Sequence, residues 1–315
     1  MNKQIYLSLL LILSAACDPV ATTSAGADNS TANPSIMDGD FHVVGNLESK
    51  KLDEASGIQA ISSGDFLLHN DDGIKLFIID PSGKNLGRIR VNDVKNKDWE
   101  DITRVPGEQG PLIVIGDTGD NRGGRKSVKL YFVQEPAPDE ATGRYPDELD
   151  PVHRLKVRYP EGPRDVESIA FDAASGMILL LSKRDNPPRL YGIALERALA
   201  ETEVEAEFLA EVPGFRAPTQ QDLLRSPRRG MFVSQPTGMD ISADGRLAAV
   251  LTYRSLYVFK RASDESWAEA FQREPTEYIG PPGVHDEAVS FSHDQKSIYV
   301  TTERRPAPLY RLDLP

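Results

Sequence analysis

From residue 41 onward the chain alternates short apolar runs with small clusters of Gly, Asp and Ser, and one module of this kind returns five times. The copies open on Ser56-Gly57-Ile58, Glu100-Asp101-Ile102, Glu167-Ser168-Ile169, Thr237-Gly238-Met239 and Glu287-Ala288-Val289. Each opening leads into a strand, a tight turn and a second strand. The turns carry Ser63-Gly64-Asp65, Ser175-Gly176, Asp244-Gly245 and Asp294-Gln295, mostly residue types that accept the unusual backbone angles of a hairpin. The returning runs LLLS, LAAVLT and IYVTT are apolar at successive positions, which predicts strands covered on both faces.

A second marker follows every hairpin: Lys75-Leu76-Phe77, Lys129-Leu130-Tyr131, Arg189-Leu190-Tyr191, Ser255-Leu256-Tyr257 and Pro308-Leu309-Tyr310. This is a third strand. Fourth strands are predicted at 86–91, 153–159, 205–212 and 268–273. The fifth unit runs out of chain, while residues 41–47 (FHVVGNL) form a strand with no hairpin of their own. The economical solution is a ring in which the N-terminal strand completes the last sheet and removes the free edges. The pattern therefore predicts an all-β fold, a β-propeller of five four-stranded blades closed by the N-terminal strand, with six blades as the alternative. Only residues 195–207 offer a helical period, and only for a short helix.

Charge and cysteine usage narrow the function classes. Lys and Arg number 36 against 48 Asp and Glu, and the net charge of -12 as a whole repels phosphate backbones and anionic lipid, so nucleic acid is not an expected partner. The single cysteine excludes a disulfide framework and a multi-cysteine zinc site. That cysteine is explained by its surroundings. Lys3, an apolar run from Ile5 to Leu13, and Ser14-Ala15-Ala16 precede Cys17, an arrangement that resembles a bacterial lipoprotein signal in which the cysteine becomes the lipid-modified N-terminus. Ser14 departs from the aliphatic residue usual at its place, and an ordinary secretory signal is the alternative. Residues 18–38 are small and polar and read as a disordered tether, leaving 39–315 for the propeller. These features predict a protein of the bacterial cell envelope, lipid-anchored at a membrane.

Asp98-Trp99-Glu100-Asp101-Ile102, then Gly116-Asp117-Thr118-Gly119-Asp120-Asn121, then Lys129-Leu130-Tyr131 resemble the signature of a family of bacterial β-propeller lipoproteins, distant in shape from the YVTN and WD40-like propellers. The resemblance spans 41–315, with its sharp motif in the second unit. It implies the fold and carries no catalytic residue, because propellers host hydrolases, lyases and binding scaffolds alike.

Propeller geometry places the start of each innermost strand and the loop between the second and third strands on one face. That face collects Glu54, Glu100, Asp101, Glu167, Asp240 and Glu287 from the first set. The loops add His69, Asn70, Asp71, Asp72, Asp117, Asp120, Asn121, Lys183, Arg184, Asp185, Asn186, Arg254, Glu303 and Arg304. Among these, Glu100, Asp101, Glu167, Glu287, His285 and Lys183 are the candidate ligand-facing residues. Carboxylates crowded in this way need shared protons or a cation, and hard oxygen donors suit calcium or magnesium. The alternative is structural: each recurring Glu accepts backbone amides of the next blade. Asp117, Asp120 and Asn121 on their Gly-softened loop are a candidate metal set, an Asx-rich turn being the plainer reading. His285, beside Asp286 and Glu287, is a candidate base or a solvated side chain. No Gly-x-Ser-x-Gly elbow and no zinc-type His pair occurs. Two readings follow: an envelope module that binds a protein, peptide or small ligand on its polar face, or a calcium-dependent hydrolase acting on phosphate esters or lactones.

Overall fold

The computed structural model describes residues 35–280, 286–303 and 305–314. Cys17, His285 and Arg304 lie outside these residues, as does the tether up to residue 34. Five antiparallel sheets form five blades of a β-propeller. The first blade runs through Ala55–Ala60, Phe66–Asn70, Lys75–Ile79 and Asn85–Val91, and the second through Asp101–Val105, Leu112–Asp117, Val128–Gln134 and Pro151–Arg158. The third comprises Val166–Asp172, Met177–Ser182, Arg189–Ala194 and Glu207–Glu211, and the fourth Pro236–Ile241, Leu247–Thr252, Ser255–Lys260 and Thr276–Ile279. In the fifth, Asp286–Phe291, Ser297–Thr302 and Pro308–Asp313 are joined by His42–Asn46, antiparallel to Pro308–Asp313. The ring closes as the repeat predicts.

The blades touch through apolar faces, and one core cluster occupies each junction. Ile58, Phe66 and Leu68 of the first blade pack with Leu47, Ala288 and Leu309 of the fifth. Ile113 and Ile115 of the second meet Leu67 and Ile78 of the first. The same arrangement recurs between the second and third, third and fourth, and fourth and fifth blades. Strands buried on both faces explain why the returning runs are continuously apolar.

Three short segments cover outer edges by parallel pairing: Glu148–Leu149 on Asn85–Val91, Glu203–Glu205 on Pro151–Arg158 and Ser35–Asp38 on Thr276–Ile279. Ser35–Asp38, which composition assigns to the tether, is thus a strand on the fourth blade. The helix expected within 195–207 is Leu195–Ala200. The fourth strand expected at 268–273 is a correction: Trp267–Ala270 is a helix held by a Ser266/Glu269 capping box, and the strand is Thr276–Ile279. The long interval 213–235 holds a helix, Gln220–Arg225, and a single 3-10 turn, Gly230–Phe232.

Innermost strands of a propeller leave one row of amides facing the channel, and buried amides need acceptors. Side chains supply them in every blade. Ala60 N–H donates to Ser290 Oγ (3.1 Å), Arg104 N–H to Gln59 Oε1 (3.1 Å) and Phe291 N–H to Asp240 Oδ2 (2.8 Å). Asp101 Oδ2 accepts from both Ile169 N–H (2.8 Å) and Met239 N–H (3.2 Å), joining three blades through one carboxylate. Amide capping does occur, but Asp101 and Asp240 perform it, not the recurring glutamates.

Candidate functional site

The first residue of each module occupies one structural position. In four blades the ladder shifts register here, between Ala55 and Gly57, Val166 and Ser168, Pro236 and Gly238, and Asp286 and Ala288. In the second blade Glu100 N–H reaches Gly116 O (3.0 Å) just before the ladder begins. Such bulges re-aim the residue they release. Ser56, Glu100, Glu167, Thr237 and Glu287 therefore ring one mouth of the channel, and all five are buried. Glycine follows Ser56 and Thr237 because the strands crowd together: a Cβ on Gly57 would lie 2.6 Å from His69 Nε2.

Around this ring sits a cluster of ionisable groups. Glu100, Asp165 and Glu167 each bring one carboxylate oxygen within 4.8 Å of the others. Lys183 Nζ donates to Glu167 and to Tyr253 Oη (2.7 Å), and the Tyr253 hydroxyl donates to Glu287. The ammonium also lies over the Tyr253 ring, 4.8 Å from its centroid. Arg184 pairs with Asp165 and donates to Asn121 Oδ1. Asp165 and Glu167 thus each hold a cation by direct contact, Glu287 shares the Lys183 charge with Glu167, and four carboxyl groups face two cations.

Burial, together with the neighbouring Glu167, drives Glu100 well above the usual carboxylate range. Burial likewise lifts Glu287 far up and Glu167 to about 7, both against the pull of Lys183. Burial opposes the charge on Lys183, yet Glu167 and Glu287 outweigh it and hold the ammonium well above its ordinary value. The lysine stays charged while the carboxyls compete for protons.

The motif loop supports this cluster. Asp117 pairs with Arg125 (2.9 Å) and accepts Asp98 N–H (3.2 Å). Asp120 accepts Gly124 N–H (2.9 Å) and Arg125 N–H (2.8 Å), and its own N–H donates to Asp165 Oδ1 (2.6 Å). Asn121 binds Arg184 and Asp98. These three side chains are engaged in fixing the loop and in holding Asp165 and Arg184 at the ring. Gly119 lets the loop approach the ring closely, since a Cβ there would fall 2.0 Å from Glu100 Oε1 and displace that carboxyl.

Other expected face residues lie elsewhere. Asp101 points into the channel with its amides, and Asp240 lines a cavity of about 530 Å³ formed with Gln59, Thr103, Arg104 and Phe291 at the C-terminal ends of the innermost strands. His69 is fully buried edge-on to Trp99 (5.6 Å between centroids), with its imidazole pushed down to about 4 by burial. Glu54, Asp71 and Asp72 make a second, more exposed carboxylate group. Asp165 and Tyr253 join the site although neither is a candidate from the sequence; both nonetheless hold repeated positions, Asp165 two residues before Glu167 as Asp98 is before Glu100, and Tyr253 directly after its second strand as Lys183 is.

A cavity of about 350 Å³ opens beside the ring, with Lys183, Arg184, Tyr253 and Glu303 on one side and Arg229, Phe232 and Val233 of the 213–235 interval on the other. Among the described residues, no helix is long and apolar enough to cross a membrane.

The protein is a five-bladed β-propeller with a buried, predominantly acidic channel mouth. Among solved structures 941 chains match it, so the architecture is widely shared. One is the PQQ-bound form of aldose sugar dehydrogenase from Streptomyces coelicolor, 12% identical with a TM-score of 0.50, over 87% of this chain and 98% of that one. At this identity the likeness shows the fold alone. No family model and no curated protein matches the chain.

Proposed function

We propose that the protein is a lipid-anchored propeller of the bacterial cell envelope whose channel mouth binds a divalent cation and, through it, an oxygen-rich ligand in the adjoining cavity. One observation carries the binding part: three buried carboxylates, Glu100, Asp165 and Glu167, converge within 4.8 Å. Lys183 and Arg184 can offset only two of the four charges that Glu100, Asp165, Glu167 and Glu287 carry when ionised, and a divalent ion matches the remaining two. An all-oxygen donor set of this kind suits calcium. The anchor rests on Cys17 and the apolar run before it.

The test of the cation follows from linkage. Glu100, Glu287, Glu167 and Asp240 have folded-state values raised above the unfolded carboxyl value of about 4. Their contribution to stability is fully present below about pH 4 and is lost as pH rises through about 7, the value reached by Glu167 and Asp240. Without metal, the melting temperature is expected to be higher at pH 5 than at pH 8. Calcium binds the ionised carboxylates, so it should raise the melting temperature at pH 8 in step with concentration and do little at pH 5. Glu100→Gln should remove most of this response. A flat calcium titration at pH 8 would refute the cation site.

The anchor has its own test. Cys17→Ser is expected to move the protein from the detergent-extracted fraction to the fraction released by a high-salt wash. Retention through that wash would show that lipid on Cys17 is not what holds it.

A second reading is favoured by Glu167, a buried carboxyl near 7 beside a charged lysine, which is the tuning a general acid or base needs at neutral pH. On this reading the site hydrolyses phosphate esters or lactones with calcium bound. Turnover of either substrate class that disappears in Glu167→Gln would establish it over simple binding.

A further inference from the structure

The interval 213–235 differs in chemistry from the rest of the chain. It carries four arginines against one acidic residue in a protein of net charge -12. Its fold is fixed from within. Thr219 and Asp222 close a capping box on the helix Gln220–Arg225, and Asp222 is held by Arg254 of the propeller body (2.7 Å). The chain then doubles back so tightly that a Cβ on Gly230 would lie 2.5 Å from Asp222 O.

Within this knob the helix buries none of its residues. Leu224 is 83% exposed and Met231 68%, the two most exposed large apolar side chains among the described residues. Arg225 and Arg228 are exposed beside them. A short helix usually earns its place by burying an apolar face, and here the apolar side chains are preorganised toward solvent. Basic side chains flanking exposed Leu and Met match the interfacial region of an anionic bilayer, where apolar groups enter the acyl boundary and arginines meet headgroup phosphates.

We infer that the 213–235 knob is a membrane-surface contact that docks the propeller on an anionic leaflet through Leu224, Met231, Arg225 and Arg228. This contact is independent of Cys17. It also turns the rim of the cavity beside the channel mouth toward the bilayer, since the neighbouring Arg229 and Phe232 form part of that rim.

The experiment is co-sedimentation of the chain beginning at Asp18, which keeps every described residue, with vesicles of phosphatidylcholine alone or of equal parts phosphatidylcholine and phosphatidylglycerol. Binding is expected only to the anionic vesicles and should weaken with added salt. Leu224→Ser with Met231→Ser is expected to lower the partition about tenfold. Arg225→Glu with Arg228→Glu should abolish the preference for phosphatidylglycerol. All four side chains are exposed, so both variants should melt as the parent does. Absence of binding to anionic vesicles, or binding that neither variant alters, would overturn the inference. Concentration-dependent self-association that the Leu224/Met231 variant abolishes, without vesicle binding, would overturn it in favour of a second copy of the chain.

Discussion

A chain that begins at Glu48 is expected to lose its cooperative melt near the parent temperature, whereas one that begins at Gly39 keeps it. The residues between supply the outer strand of the fifth blade, paired through His42 with Arg311, Val43 with Tyr310, Gly45 with Leu309 and Asn46 with Pro308. Leu47 adds a buried side chain to the core between the fifth and first blades. Burying one such residue stabilises by about 1.5 to 3 kcal/mol, and each ladder bond by about 1 kcal/mol net. Their joint loss is on the order of 5 kcal/mol, comparable with the whole stability of many domains. It also leaves an open edge on a ring built without one. Among the described residues the Gly39 chain forfeits only Ser35–Asp38, a strand exposed throughout. Thermal melts followed by circular dichroism decide the matter, and equal melting temperatures for the two shortened chains would contradict closure by this strand.

Lys183→Met should be the most damaging single substitution at the channel mouth. It keeps much of the side-chain volume but strips the charge that Glu167 and Glu287 share. Breaking a buried ion pair from one side costs about 3 to 5 kcal/mol, because the remaining carboxylate has lost its partner in a poorly solvated place. The loss should be large at pH 8 and much smaller at pH 5, where the carboxyls take up protons instead. Calcium should restore more stability to this variant than to the parent, since the cluster is one charge more negative. Urea unfolding at the two pH values, with and without calcium, measures all of this. An equal loss at both pH values would assign the effect to packing around Tyr253.

The residues that form the ring were visible in the sequence because each heads a repeated module, and a repeat preserves structural position. Glu100, Glu167 and Glu287 therefore fall where alignment of the modules puts them, with Ser56 and Thr237 at the same place. Asp101 adjoins Glu100 in the sequence, but consecutive residues on a strand point apart. One faces the mouth and the other turns into the channel, where it accepts amides of two other blades. The fourth blade misled for a different reason. Residues 268–273 have the apolar content of a strand, yet Ser266 and Glu269 stand three apart and cap a helix instead, a local signal that was present in the sequence.

Strand, turn and repeat were determined by the sequence alone, since alternation, turn chemistry and module spacing are local properties of the chain. The acidic excess and the position of the candidate lipid-bearing Cys17 were equally plain there. The tertiary structure decided which carboxylates share a proton or a cation and which are consumed by amides. Asp101 and Met239 are 138 residues apart and meet only because the ring closes. Tyr253 joins the cluster on the same terms, 70 residues along the chain from Lys183, whereas Asp165 is only two residues from Glu167. A carboxyl's chemistry depends on burial and on its nearest charges, and both are set by neighbours that adjacency along the chain does not supply.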